Sequence, residues 1–161
     1  MPPITALLHT KNDASRLGRA LETLLPCAEI LIVDHDSVDA TRRIAREYGA
    51  RVVDAGTDSA TQHYLNLARN DWIFCIEPRE SMTEGLQVSL FEWSELPPQN
   101  VAGGSAFSVT LRRQVVDVWQ NVTTPEVRLI PRNWTLWRGQ LPAYAPSAIA
   151  LQGELLRFDY P

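Results

Sequence analysis

Residues 30–41, ILIVDHDSVDAT, carry the reading on which the fold turns. Ile30, Leu31, Ile32 and Val33 form a short continuous apolar run, as expected of a strand buried on both faces of a parallel sheet. The run breaks at once into acid: Asp34, Asp36 and Asp39 interleave with Ser37 and Thr41, and an Arg-rich helical pattern opens behind them. In open α/β sheets ligands bind at the carboxyl ends of the strands. Asp34 is thus placed to accept hydrogen bonds from a ribose or a base. Asp36 and Asp39 are explained by helix capping and by the favourable field at a helix N-terminus.

Working outward, residues 4–9 read as a first buried strand ended by Thr10-Lys11-Asn12. Asn12 or Asp13 can cap the next helix, whose Leu17, Ala20, Leu21 and Leu24 keep helical spacing until Pro26. After the second strand, Ser37 or Asp39 is the expected cap of a helix running to Tyr48, with Gly49 as its terminator. Residues 50–53 make a third strand. Asp58 or Ser59 then opens a helix presenting Ala60, Tyr64, Leu67 and Ala68 on one face, and residues 72–76 form the fourth strand. Three strand-helix-strand passages imply right-handed crossovers and a mostly parallel sheet flanked by helices.

Beyond residue 76 the signals change. Ser81-Met82-Thr83-Glu84 fits a capping box, and Leu86, Leu90 and Trp93 give the following helix an apolar face that ends before Pro97-Pro98, a boundary within the domain. Phe107, Val109 and Leu111 alternate with Ala106, Ser108 and Thr110 as in a half-buried strand, with 115–119 as its hairpin partner. Residues 127–130 read as one more strand, Pro131-Arg132-Asn133 as a turn into 135–137, and the Pro- and Ala-rich remainder as an irregular tail. The expectation is one α/β domain over residues 1–161 with a small β-rich C-terminal part.

Composition narrows the function classes. With 45% hydrophobic and 21% charged residues the chain reads as an ordinary globular protein. No apolar run approaches the roughly 20 residues of a membrane span, and Met1-Pro2-Pro3 lacks the features of a signal peptide, so the expected location is the cytoplasm. Residues 1–100 hold 9 Lys or Arg against 15 Asp or Glu, which argues against a nucleic-acid partner. Neither G-x-G-x-x-G nor G-x-x-x-x-G-K-[ST] occurs, which argues against a dinucleotide oxidoreductase or a P-loop NTPase. Cys27 and Cys75 lack metal-ligand spacing and read as buried free thiols. His9 and His35 fall at adjoining strand ends, where local hydrogen bonding is the expectation over a metal pair. For Trp119, Trp134 and Trp137 core packing is the default over stacking on a sugar.

DHDSVDAT resembles the D-x-x-S-x-D-x-T signature that follows the second strand in family 2 glycosyltransferases, which have the GT-A fold and use nucleotide-sugar donors. Residues 4–12 (ITALLHTKN) are similar to that family's opening strand and turn, 45–53 (AREYGARVV) to its next helix-to-strand passage, and 66–76 (NLARNDWIFCI) to the helix and strand before its metal loop. The resemblance covers roughly the first 95 residues. It implies a GT-A-like domain with a nucleotide-sugar-binding half at 1–96 and a truncated acceptor-side half at 97–161, and it implies contacts from Thr10 and Asp34 to the nucleoside.

The resemblance also implies a Mg²⁺ or Mn²⁺ ion held by an Asp-x-Asp pair after strand four. Here Glu77-Pro78-Arg79-Glu80 stands instead, leaving Glu77 and Glu80 as candidate ligands beside an Arg that repels a cation. Either Arg79 itself binds the diphosphate through its guanidinium, or it pairs with Glu77 or Glu80 in a decayed site. Residues 125–132 (PEVRLIPR) resemble lipopolysaccharide-core-type members, in which a His-Glu pair follows. Gln140-Leu141-Pro142 stands in its place, which leaves Glu126 as the candidate general base. Two functions follow: transfer of a sugar to a saccharide or lipid-linked acceptor, or a catalytically inactive module acting through binding or protein partners; a third, structural possibility is that a second chain, as in a homo-oligomer, supplies the missing C-terminal part.

Overall fold

Four apolar runs form adjacent strands of one sheet, as their sequence rhythm requires. The structure, a computed structural model, describes residues 3–57, 60–96 and 105–159. The expected helix start at Asp58 or Ser59 and the boundary at Pro97-Pro98 lie outside the described residues. In chain order the elements are β1 (Ile4–Thr10), α1 (Ala14–Glu22), β2 (Glu29–Asp34), α2 (Thr41–Glu47), β3 (Arg51–Asp54), a 3₁₀ helix (Thr61–Leu67), β4 (Trp72–Cys75), β5 (Glu80–Met82), α3 (Glu84–Glu95), β6 (Phe107–Val115), β7 (Val118–Asn121), β8 (Glu126–Pro131), β9 (Trp137–Arg138), β10 (Leu141–Pro142) and β11 (Ile149–Arg157).

The main sheet runs β3-β2-β1-β4-β8-β6-β11-β5, with β7 paired to β6 off that path and β9 and β10 forming a separate hairpin. β1, β2, β3 and β4 are mutually parallel, so the loops after them meet at one rim. β8 enters antiparallel to β4, which brings its first residue, Glu126, to that same rim. Strand parity divides the core. Ile4, Ala6, Leu8, Ile32 and Phe74 face α1 and α3 on one side, with Leu17, Leu21, Leu86, Leu90 and Trp93 against them. Leu7, Leu31, Val33, Ile73 and Cys75 face the other side, where Tyr64, Leu65 and Trp134 cover them. Cys75 is a free thiol whose pKa burial pushes up to about 12. Among the described residues no helix is long and apolar enough to cross a membrane.

Several local expectations are corrected. The third crossover is a 3₁₀ helix rather than an α-helix, and it buries Thr61, Tyr64 and Leu65 while Leu67 stays exposed. Its N-cap, Ala60, and its C-cap, Ala68, are both extended, so the chain makes only two tight turns between them. α3 is capped by Thr83, whose Oγ1 accepts from Leu86 N at 3.3 Å, whereas Ser81 belongs to β5. β6 is buried on both faces from Phe107 to Val109, because α3 covers one side and Ala106, Val127 and Ala145 lie on the other.

The largest correction is the tail. Residues 149–157 form β11, parallel to β6 and antiparallel to β5. A register shift between Ala150 and Glu154 contains Gly153, at φ +92. A Cβ there would lie 2.2 Å from Leu86 N, so only glycine lets this strand pass the start of α3.

Candidate active site

The turns after β1 and β2 are laced together by the side chains of the acid-rich motif. Asp34 is buried, and its Oδ1 accepts from Thr10 Oγ1 and Ser37 Oγ, each at 2.6 Å. Its Oδ2 accepts from Ser37 N at 3.0 Å and Arg42 Nε at 2.8 Å. Ser37 Oγ accepts from Asn12 N at 2.9 Å, and Asn12 Oδ1 accepts from Val38 N at 2.8 Å. Asp39 accepts from Thr41 N at 3.0 Å and also from Ala14 N at 3.2 Å, the first residue of α1, while Thr41 Oγ1 accepts from Asp13 N at 2.8 Å. Asn12 and Asp36 take left-handed backbone conformations, φ 52 and 56, which Asn and Asp tolerate better than most residues.

This network revises the expected caps. The N-cap residues are Asp13 and Ala40, and neither makes a side-chain cap bond. Asp39 instead serves both helices from outside. Asp34 is fully engaged in the network: four donors fill the roughly four acceptor positions of its carboxylate. Burial raises its pKa, but the bonds from Ser37, Thr10 and Arg42 outweigh that and hold it below the ordinary value. Asp34 faces the helices, on the same side of the sheet as Ile32, so it positions the turn. A nucleoside would have to displace one of its four donors to touch it.

A cleft of about 430 Å³ opens at the carboxyl ends of β1 and β4, a size usual for small-molecule sites. Its walls are His9 and Thr10 at the end of β1, Lys11 and Asp13 of the turn after it, Arg16 of α1, His35 from the second turn, Ile76 to Pro78 after β4, and Arg138, Gln140 and Leu141 of the β9–β10 hairpin. The acid-rich turn and the Glu77–Glu80 turn therefore share one rim.

On the cleft side of the sheet the histidines form a directed chain. Thr61 Oγ1 donates to the Gln140 carbonyl at 2.9 Å, so it accepts from His9 Nε2, also at 2.9 Å. His9 is then unprotonated at Nδ1, which accepts from His35 Nε2 at 2.8 Å. Burial, and secondly the neighbouring His35, push the His9 pKa down to about 4, which keeps it neutral. Local hydrogen bonding is what the sequence led one to expect here, and its outcome is to tie the hairpin to the cleft floor.

The residues after β4 do not fit a divalent cation. Arg79 Nε lies 2.7 Å from Glu77 Oε2, the pairing alternative, and Arg79 is not among the cleft walls. Glu80 is fully buried: Arg128 donates to both its oxygens, at 2.6 and 2.9 Å, and Arg157 Nε and Nη2 reach Oε2 at 3.2 and 3.1 Å. A hard ion needs several free oxygen ligands, and Glu80 has none to give. Among the described residues no group of three or more His, Cys, Asp or Glu is gathered for a metal. Glu126, nominated as a base, lies outside the cleft with Oε2 3.9 Å from Arg128 Nε. Sequence reasoning missed Lys11, Arg16 and Arg138; a usable signal was that Lys11 is the only lysine in the chain and stands in the turn that carries the resemblance.

No family model matches the chain. It is similar to a glycosyltransferase of Rickettsia felis of uncharacterized function, 34% identical over 91 residues, covering 54% of this chain and 32% of the relative. It is also similar to the lipopolysaccharide core biosynthesis glycosyltransferase LpsC of Rhizobium meliloti, 29% identical over 102 residues, covering 56% of this chain and 36% of the relative. The chain thus spans about a third of the length of these curated relatives. Among solved structures, S. aureus TarS 1-349 in complex with UDP superposes with TM-score 0.52 at 16% identity, over 72% of this chain and 37% of that one. The chain has the GT-A glycosyltransferase fold, and over its first half it resembles family 2 glycosyltransferases in sequence.

Proposed function

We propose that the chain is the nucleotide-sugar-binding part of a glycosyltransferase and that the cleft between the first turn, the β4 exit and the β9–β10 hairpin receives the nucleotide diphosphate. The observation that carries this is the position of the cleft, at the carboxyl ends of β1 and β4, where a parallel sheet binds ligands. The UDP named for the TarS structure supports it. Thr10 borders the nucleoside, and Asp34 acts through it, by fixing the Thr10 hydroxyl and the turn.

Calorimetry with UDP, GDP and their sugars tests the reading. A bound nucleotide is expected, with affinity reduced by up to about tenfold in Thr10→Val, which removes the hydroxyl that Asp34 fixes at the cleft wall, one neutral hydrogen bond to the ligand being about 0.5–1.5 kcal/mol. Failure of every nucleotide and nucleotide-sugar to bind at millimolar concentration would refute it.

A second reading, binding without turnover, has an observation of its own. The acids in the described cleft wall are Asp13 and Glu77, and each is paired with an arginine. A base must be free to take the acceptor's proton. Release of UDP from a UDP-sugar in the presence of a saccharide acceptor decides for transfer; binding with no turnover decides for the module.

A further inference from the structure

The charges around the cleft do not balance. Arg16 Nη2 lies 2.6 Å from Asp13 Oδ1, and Arg79 Nε lies 2.7 Å from Glu77 Oε2, so both acids of the wall are already compensated. Lys11 and Arg138 line the same cleft, from the first turn and from the hairpin. Among the described residues neither has a carboxylate partner; the Lys11 ammonium reaches only the Asp36 backbone carbonyl, at 3.3 Å. Two cations without a carboxylate partner among the described residues therefore line one concave space. The hairpin that carries Arg138 is held in place two residues on, where the Gln140 carbonyl accepts from Thr61.

We propose that Lys11 and Arg138 hold the diphosphate from two sides of the cleft and take over the charge neutralisation for which GT-A relatives of the resembled family use a divalent cation. This rests on the reading that the cleft binds a nucleotide diphosphate. The chemistry suits both residues: a guanidinium offers a planar fork to two phosphate oxygens, and an ammonium is a compact charge with three donors. Cations fixed where negative charge grows on a leaving diphosphate stabilise it without rearranging at that moment. The acids that would otherwise hold a metal are occupied, Glu77 by Arg79 and Glu80 by Arg128 and Arg157.

The test is calorimetry of the whole chain with UDP, GDP and UMP, in EDTA and in Mn²⁺, for the wild type, Lys11→Met and Arg138→Ala. Both side chains are exposed, so neither substitution threatens the fold. Diphosphate affinity should change less than about twofold between EDTA and Mn²⁺. Each variant should bind the diphosphate roughly tenfold or more weaker, with a smaller loss for UMP. Because Lys11 is the only lysine, ¹³C-dimethylation, which keeps its charge, yields one lysine resonance, and UDP in EDTA should shift it. Strict Mn²⁺ dependence, or unchanged diphosphate affinity in both variants, overturns the inference and leaves the cleft reading standing. Absence of any nucleotide binding by the wild type, with or without Mn²⁺, overturns both.

Discussion

Replacing Glu80 by Leu probes the ion pair that joins three distant segments. The side chains of Glu80 and Arg128 are both 0% exposed, and Glu80 Oε1 also accepts from Glu77 N at 2.9 Å. Glu80→Leu leaves the Arg128 guanidinium buried with its principal counter-charge gone, a situation that costs about 3–5 kcal/mol. Arg157 softens the loss, since it is 15% exposed and already lies 3.9 Å from Glu77 Oε1, so the lower end, about 3 kcal/mol, is expected. For a chain of this size that is a fall in Tm of about 10 °C. Adding Arg128→Met to Glu80→Leu removes both buried charges, and the double variant should be more stable than Glu80→Leu alone by about 2 kcal/mol.

Acid titration supplies a second readout of the same pair. Burial raises the Glu80 pKa, but Arg128, and then Arg157, outweigh it and hold the carboxyl below its ordinary value. A carboxyl lowered in the fold contributes its full stability above the unfolded pKa and loses it as pH falls through the folded one. The acid limb of stability against pH should therefore flatten in Glu80→Leu. Urea unfolding at several pH values measures both effects. A Glu80→Leu cost under about 1 kcal/mol, or single-variant costs that simply add in the double, would refute the reasoning.

His9 gives a dependence of the same sign over a range that begins at higher pH. Its pKa falls from 6.5 to about 4 on folding, so the unfolded chain takes up the proton first as pH drops, and stability should decline between those values by about 3 kcal/mol. His9→Gln should abolish that slope in urea midpoints taken from pH 4 to 7.5; an unchanged slope would assign it elsewhere. Gly153→Ala should cost more than about 3 kcal/mol, because its Cβ meets the Gly85 and Leu86 backbone at 2.2–2.6 Å. Gly139→Ala, at φ +63 with nothing within 4 Å, should cost only about 1 kcal/mol. Equal losses in thermal unfolding would contradict the close approach at Gly153.

The parallel half of the sheet was legible because local signals agree there. Apolar runs, proline and glycine stops and the D-x-x-S-x-D-x-T turn all point to the same strands, and the motif's side chains turn out to bond the two turns to each other. What the sequence hid is non-local. β11 was obscured by Gly153, which breaks the strand period for the sake of a backbone contact with α3 some 68 residues earlier. Glu80 looked available as a ligand because Arg128 and Arg157, which enclose it, lie 48 and 77 residues away. Asp34 read as a ligand-binding acid, and its carboxylate is engaged by Thr10, Ser37 and Arg42 on the helix side of the sheet, whereas His9 and His35 fall on the cleft side. Arg138 depends on a hairpin that no local pattern announced.

The position of β11 between β6 and β5 dictates an order of events at the ribosome. β3, β2, β1 and β4 find one another within the first 75 residues and can assemble as they emerge. β5 and the far edge of β6 must wait for residues 149–157. Until those residues arrive, two ladder edges lie bare and Glu80 lacks one of its two guanidiniums, a state open to chaperone capture and to edge-to-edge aggregation. Nascent chains arrested before residue 149 should be far more protease-sensitive from residue 80 onward than in the parallel half that precedes it.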